Sequence, residues 1–193
     1  ITIVTLTLVY LMVTGFQCGS AESTSAKLYM QRKEWSAAEL ALVKEVENNP
    51  ANAEAWYYLG QVRLRKAEQS IDQKNYAQVK TDFENMLYAY DKSLGAAPDY
   101  QPQIQTEKLF AWQKALNAGV ELFNRSIKAP EAEAPSLRSE AVRMYDAAIA
   151  ICRQVLFETA YTPDEMEAGS SSWLLVGYAY QKRGWVEEAA LAY

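Results

Sequence analysis

The chain has 193 residues, half of them hydrophobic, and its 24 acidic and 19 basic residues give a net charge of −5. A nucleic-acid-binding surface needs clustered Lys and Arg, whereas this chain is acidic and shows no such cluster. We therefore expect no nucleic-acid partner. There is no histidine, which removes the residue that most often acts as a general base or metal ligand. With 8 Gly, 6 Pro and no period-two pattern after residue 20, the composition predicts an all-α protein.

The first 17 residues carry no charge and are apolar and β-branched, as in the hydrophobic region of a signal peptide. They are shorter than the span of about 20 residues that crosses a membrane. The sequence around Cys18 resembles the cleavage junction of a bacterial lipoprotein signal peptide. At such a junction the cysteine is lipidated and becomes the first residue of the mature protein. Gln17 departs from the small residue preferred there. Cleavage after Ala21 and an uncleaved membrane anchor are the alternatives.

A tether over 19–24 and eight helices are predicted beyond this segment. Asn52 is a favourable N-cap for the third helix, and Thr162-Pro163-Asp164 is a helix start signal. Apolar periodicity and Gly/Pro punctuation delimit the helices. The predicted ranges are 25–33, 35–48, 53–73, 75–94, 103–128, 136–158, 162–184 and 185–193.

The pattern W-x2-L-G begins the third helix, at Trp56, Leu59 and Gly60. It recurs as W-x2-V-G-x2-Y near the end of the chain, with Val176 at the aliphatic position. Residues three and four apart share one helical face, so a bulky side chain stands beside a gap that a second helix can fill. We therefore expect these positions to pack neighbouring helices: Trp56, Leu59, Gly60, Gly119, Trp173, Gly177, Tyr180 and Ala189.

These residues resemble the tetratricopeptide repeat (TPR), a helix–turn–helix unit of about 34 residues. The last unit is the most complete, with Gly184 at the turn and Ala189 and Tyr193 in its second helix. Four matches in register are more specific than any one of them, although the first three units depart from the pattern at some positions. The residues at the positions of the pattern, whether they match it or replace it, are the following. The first unit has Ala26, Tyr29, Ala38, Leu42 and Pro50; the second has Arg63, Met86, Tyr90 and Pro98; the third has Ala115, Gly119, Ala141 and Tyr145.

The spacing of the units predicts that the inner ones are elongated. Ala26 and Gly60 are 34 residues apart, whereas Gly60 and Gly119 are 59 apart and Gly119 and Gly177 are 58 apart. The extra segments lack the Gly and Pro of loops, so we expect longer helices. The resemblance implies a right-handed α-solenoid of about four antiparallel hairpins over 22–193, after a signal or tether over 1–21. The apolar last helix predicts that the array continues.

No motif for catalysis is present. Ser170-Ser171-Ser172 has no histidine to activate it, and Glu131 and Glu133 lie in a connector that would not raise a carboxyl pKa. Cys152 lies in an apolar helical run and is expected to be a buried small side chain. We therefore expect no enzyme activity, no metal and no cofactor.

The resemblance also implies a peptide-binding groove. In the family, the first helices of successive hairpins line a concave surface that contacts an extended or helical peptide. The corresponding polar and aromatic residues are Tyr57, Gln61, Arg65, Asn124, Tyr178 and Lys182, and the apolar residues and the amide beside them are Leu64, Val120, Phe123, Leu174 and Gln181. Arg65 and Lys182 favour a ligand that carries a carboxylate or acidic side chains.

Two functions are compatible with this sequence. The first is an adaptor that binds a protein or peptide and is exported to the bacterial cell envelope, where an N-terminal lipid or signal anchor attaches it to a membrane. The second is a structural spacer or assembly subunit whose groove is idle. An adaptor predicts polar groups and aromatics in the groove, whereas a spacer predicts an exposed apolar patch on the convex side or at an end.

Overall fold

The structure, a computed structural model, describes residues 20–158. This part of the chain forms six α-helices and one 3-10 turn, and it contains no strand. The sequence-based prediction of an all-helical protein is therefore confirmed over this range. The helices are α1 (Ala21–Gln31), α2 (Trp35–Asn48), α3 (Ala53–Asp72), α4 (Tyr76–Ala96), α5 (Gln101–Lys128) and α6 (Ala134–Glu158), with the 3-10 turn Pro98–Tyr100 between α4 and α5.

Consecutive helices pack as antiparallel pairs: α1 with α2, α3 with α4, and α5 with α6. Adjacent pairs meet through α2 with α3, α4 with α6, and α3 with α5. The prediction of elongated helices is confirmed for α3 to α6, which are continuous helices of 20, 21, 28 and 25 residues. At 1.5 Å per residue, α5 alone extends about 42 Å.

Two apolar clusters make up the described core, and α3 contributes to both. Its Trp56 and Leu59 join Ala26, Leu42 and Val46 in the cluster between the first two hairpins. The opposite side of α3 packs into the larger cluster with α4, α5 and α6. The largest fully buried side chains of that cluster are Leu64, Phe83, Met86, Tyr90, Ile104, Leu122, Met144, Tyr145 and Ile151.

The predicted tether over 19–24 is wrong from Ser20 onward. Ser20 is the N-cap of α1, and its hydroxyl accepts a hydrogen bond from the Ser23 backbone N–H at 3.0 Å. Glu22 then places a negative charge in the first turn, where the helix dipole favours it. The helix therefore begins four residues before the predicted start at Ser25. The small polar composition that indicated a tether is also that of a helix N-terminus.

Two later helices each begin two residues before their predicted starts at 103 and 136. α5 begins at Gln101 and α6 at Ala134, so Pro102 and Pro135 lie in first turns, where their missing N–H costs nothing. Asn52 caps α3 as predicted, since its side chain accepts from the Ala55 N–H at 3.0 Å. The side chain of Cys152 lies outside the described residues, as do the predicted helices after 158.

Two hairpin turns use lysine in the left-handed conformation. Lys33 follows the C-cap of α1 and Lys74 follows the C-cap of α3, each with φ of 59°. In the second case the Lys74 N–H donates to the Ile71 carbonyl and the Asn75 N–H to the Ser70 carbonyl. These are the paired bonds of a Schellman motif, in which glycine is the usual residue.

Polar side chains tie the first hairpin to the second. The buried Glu45 carboxylate of α2 accepts from the Ser20 hydroxyl and from Asn52 Nδ2, so it joins the N-caps of α1 and α3. On the same helix, Glu39 pairs with Arg63 at 3.1 Å and Lys66 at 2.5 Å. Burial alone would raise the pKa of Glu39, but these two cations lower it below its ordinary value.

Candidate functional site

The candidate site lies where α3 and α5, the first helices of two neighbouring hairpins, approach each other. We call it the α3–α5 face. Positions four apart on α3 point toward α5, and positions three and four apart on α5 point back, as helical geometry requires. The 3-10 turn before α5 adds one aromatic ring. The face consists of Tyr57, Gln61, Arg65, Glu68, Tyr100, Glu107, Phe110 and Lys114.

Glu107 of α5 holds the inner part of this face together. Its Oε1 accepts hydrogen bonds from Gln61 Nε2 at 2.5 Å and from the Tyr57 hydroxyl at 3.2 Å. Its Oε2 accepts from the Tyr90 hydroxyl of α4. Gln61 Nε2 also donates to the Tyr57 hydroxyl at 2.8 Å. One half-buried carboxylate thus receives three hydrogen bonds from two helices of the preceding hairpin.

Aromatic rings surround these hydrogen bonds. The Tyr57 ring stacks on that of Tyr100, with centroids 4.5 Å apart and an interplanar angle of 12°. It also lies 6.3 Å from the ring of Tyr90. Burial, and next the negative charge of Glu107, raise the pKa of both Tyr57 and Tyr90 well above the ordinary value for tyrosine. Both phenols therefore stay protonated and continue to donate to Glu107 at neutral pH.

The outer part of the α3–α5 face is open to solvent and carries two cations around one ring. The Arg65 guanidinium lies 6.0 Å, and the Lys114 ammonium 5.1 Å, from the centroid of Phe110. Both cations pair with Glu68, Arg65 at 2.7 Å and Lys114 at 3.6 Å. The side chains of Arg65 and Lys114 are 47% and 46% exposed, whereas that of Glu68 is 19% exposed. Two accessible positive charges therefore share one largely covered negative charge.

The residues predicted for a peptide-binding groove differ in position and exposure. Tyr57, Gln61 and Arg65 do lie together, but Tyr57 is buried and, with Gln61, is engaged with Glu107. Arg65 remains exposed. Asn124 is exposed on α5, ten residues and about 15 Å beyond Lys114. Tyr178 and Lys182 lie outside the described residues.

Sequence reasoning missed Glu107, Phe110 and Lys114. It placed the groove of the third unit beside Gly119, as in repeats of ordinary length. Because α5 is elongated, the residues that contact α3 lie in its first half. The region around Gly119 lies in its second half, further toward the C-terminal end of the helix. The 107, 110, 114 spacing was a usable signal, since i, i+3, i+7 positions share a helical face.

The glycines predicted to pack helices lie against tyrosine rings. A Cβ on Gly60 would be 2.1 Å from Cε1 of Tyr90, and one on Gly119 would be 2.6 Å from Cε1 of Tyr145. Leu59 is fully buried. Trp56 donates its indole N–H to the Pro50 carbonyl at 2.9 Å and contacts Tyr88 edge-on. Trp173, Gly177, Tyr180, Ala189 and Cys18 lie outside the described residues.

Between residues 20 and 158 no group of three or more His, Cys, Asp or Glu side chains could hold a metal ion. None of the helices described is both long and apolar enough to cross a membrane. Glu131 and Glu133 are exposed.

Compared with known proteins, the chain matches no family model and no curated protein.

Proposed function

We propose that this chain is a non-catalytic adaptor, built as a TPR-like right-handed solenoid, that binds an acidic segment of a protein partner on the α3–α5 face. The observation that carries the proposal is the pair of half-exposed cations, Arg65 and Lys114, that both lie beside the exposed Phe110 ring. A peptide with an acidic and an apolar side chain could use both features at once. Charge-assisted hydrogen bonds to a carboxylate are about twice as strong as neutral ones.

The hydrogen bonds around Glu107, in the inner part of the α3–α5 face, support this proposal. They fix α5 against α3, so the backbone positions that carry the two cations are already set before a ligand binds. Pre-organisation of this kind lowers the entropy that binding must overcome. Glu68 would compete with an incoming carboxylate, which favours ligands with more than one acidic group over a single anion.

A matched pair of aromatic and aliphatic substitutions tests the site. Phe110 and Leu109 are neighbours on α5 and are 36% and 45% exposed, but only Phe110 contacts the two cations. Against an array of extended peptides that are acidic, neutral or basic, the chain should retain acidic ones. Phe110→Ala should weaken this binding several-fold and Leu109→Ala should not. Equal effects of the two changes would contradict the assigned site.

The charged residues provide the second arm of the test. Arg65→Ala with Lys114→Ala removes two contacts worth about 1.5–3 kcal/mol each at best, so affinity for an acidic peptide should fall tens-fold or more. Lys80→Ala with Arg143→Ala removes the same charge from exposed positions on α4 and α6. Equal losses in the two double variants would indicate a non-specific charge effect. Retention of basic peptides would also argue against the proposal.

We further propose that the adaptor is exported and tethered to a membrane through Cys18. The Ser20 cap supports this junction over cleavage after Ala21, because the latter would remove Ser20 and its bonds to Ser23 and Glu45. Cys18→Ser should release the protein from the membrane fraction while export continues. A variant that stays in the membrane fraction would favour an uncleaved anchor.

A structural or assembly subunit is the second candidate, and one observation favours it. Leu40 of α2 is 74% exposed on the outer side of the first described hairpin. An exposed apolar patch at an end of the array is what a laterally packed subunit predicts. Loss of assembly on changing this patch, with acidic peptides unbound by the α3–α5 face, would make this candidate the better one.

A further inference from the structure

The outer side of the first hairpin carries a groove that no described residue fills. We call it the end groove. Its volume is about 300 Å³, and half of its eight lining residues are alanine or serine, whose small side chains leave the space between α1 and α2 unfilled at the surface. The side of the hairpin that faces α3 is the one that buries Ala26, Ala38, Leu42 and Val46. The end groove is lined by Ala21, Glu22, Ser25, Tyr29, Ala37, Leu40, Ala41 and Lys44.

A projecting apolar side chain stands on the rim of this groove. Leu40 is the most exposed large hydrophobic residue of the described chain. It is one turn from Ala37 and from Lys44, so it rises beside the hollow that Ala37 and Ala41 leave. A surface that has a knob next to a hole can pack against a copy of itself. Under a two-fold axis the knob of each copy enters the hole of the other.

The charges of the end groove point to the same occupant. Glu22 and Lys44 pair at 2.6 Å across the end of the groove remote from the hairpin turn, and the two side chains are 25% and 65% exposed. The groove lining therefore has no net charge, although the whole chain carries −5. Two copies can meet there without repulsion between the faces. In a two-fold contact, Glu22 and Lys44 of one copy carry the charges that complement Lys44 and Glu22 of the other.

We propose that the end groove is a self-association surface, on which two copies of this chain pack their first hairpins isologously with Leu40 as the central contact. The proposal is independent of what binds on the α3–α5 face, since it uses none of those residues. It places that face of each copy outside the contact, so association and peptide binding can occur together.

Leu40→Asp tests the apolar contact. Sedimentation equilibrium of the full chain in density-matched detergent should give twice the chain mass of 21.8 kDa. Leu40→Asp should give the chain mass, with unchanged helix content because the side chain is exposed. Leu109→Asp, an equal change at an exposed leucine of α5, should leave the dimer intact. A monomeric parent chain, or equal dissociation in both variants, would overturn the proposal.

Charge reversal gives a test that a folding defect cannot imitate. Glu22→Lys makes the groove lining doubly positive and Lys44→Glu makes it doubly negative, so each variant alone should dissociate. An equimolar mixture should associate again as a heterodimer. Failure of the mixture to associate would overturn the two-fold arrangement.

Cross-linking identifies the occupant directly. With p-benzoylphenylalanine at position 40, the adduct should join two chains and map to residues 21–44 of the second copy. An adduct within one chain to residues 1–17, or between chains to any other helix, would also overturn the proposal.

Discussion

Glu107 links the second and third described hairpins through polar contacts, in addition to the apolar cluster that they share. Its carboxylate accepts from Tyr57, Gln61 and Tyr90, and no neutral side chain of the same size can accept all three as well. Hydrogen bonds to a charged group contribute about 1.5–3 kcal/mol each, and the three are not additive. Glu107 therefore contributes to the stability of the contact between hairpins as well as to its own helix.

Glu107→Gln should lower the free energy of unfolding by about 1.5–3 kcal/mol, as measured by urea denaturation. The amide keeps the shape but offers one acceptor oxygen and a donor that faces other donors. Glu84→Gln is the control, because Glu84 is exposed and pairs with Lys80 at 3.6 Å, and exposed pairs of this kind contribute about 0–1 kcal/mol. Equal losses in both variants would mean that the hydrogen bonds around Glu107 do not stabilise the fold.

The raised pKa of Tyr57 and Tyr90 predicts alkaline instability. A phenol with a raised pKa in the folded chain stabilises it below the unfolded pKa of about 10, and the unfolded chain releases the proton first above that pH. The free energy of unfolding should therefore fall as the pH rises past about 10. In Tyr90→Phe it should fall less steeply. Urea unfolding from about pH 9 to pH 11, with tyrosinate absorbance followed alongside, measures both slopes; identical slopes would count against this account.

At the scale of the helix, the turns and the glycines set how closely two helices join. The Lys74 turn after α3 is tight but carries a conformational cost, since a residue with a Cβ is disfavoured at positive φ. Gly60 and Gly119 act through space rather than through backbone conformation. Each removes a side chain where a tyrosine ring of the partner helix approaches.

Lys74→Gly should raise the free energy of unfolding by about 0.5–1 kcal/mol. The left-handed conformation costs about 1–2 kcal/mol for a residue with a Cβ, and the flexibility of glycine in the unfolded chain offsets about 0.5–1 kcal/mol of that. Gln73→Gly, one residue earlier at φ of −80°, has the entropic cost alone and should destabilise. Thermal unfolding compares the two; destabilisation by both would mean that the turn is not strained.

Gly119→Leu should destabilise the protein by about 1–3 kcal/mol, the usual cost of overpacking a tight site. A Cβ there would already meet the Tyr145 ring at 2.6 Å, so the ring or the helix must move. Gly95→Ala is the control, since a Cβ at Gly95 meets nothing within 4 Å. Urea denaturation of both variants checks the difference. A neutral Gly119→Leu would show that α5 and α6 do not pack closely there.

At the scale of the molecule, the described chain behaves as a row of units in which each hairpin contacts its neighbours. The two apolar clusters meet only through the second hairpin, chiefly at α3. Stability in such arrays is a sum of unit and interface contributions. Local opening should therefore begin in the hairpin whose packing is weakened and reach the others later.

Leu42→Ala should show this directly. Leu42 is 1% exposed in the first cluster, and its truncation should cost about 2–5 kcal/mol. Hydrogen exchange should then speed up over residues 21–48 well before it does in α5 and α6. Leu122→Ala, an equally buried change in the second cluster, should give the reverse order. Uniform loss of protection in either variant would indicate one cooperative unit.

The sequence by itself determined the helical class, the order of the helices and most of their ends, because these depend on local periodicity, caps and turn residues. Asn52 and the long uninterrupted segments of α3 to α6 are examples. Ser20 was misassigned since its bond to Glu45, 25 residues away, is not visible locally. Only the tertiary structure decided which half of α5 meets α3. The lateral offset of two elongated helices depends on packing between distant residues, so Glu107, Phe110 and Lys114 became part of the candidate site and Asn124 lies about 15 Å from it.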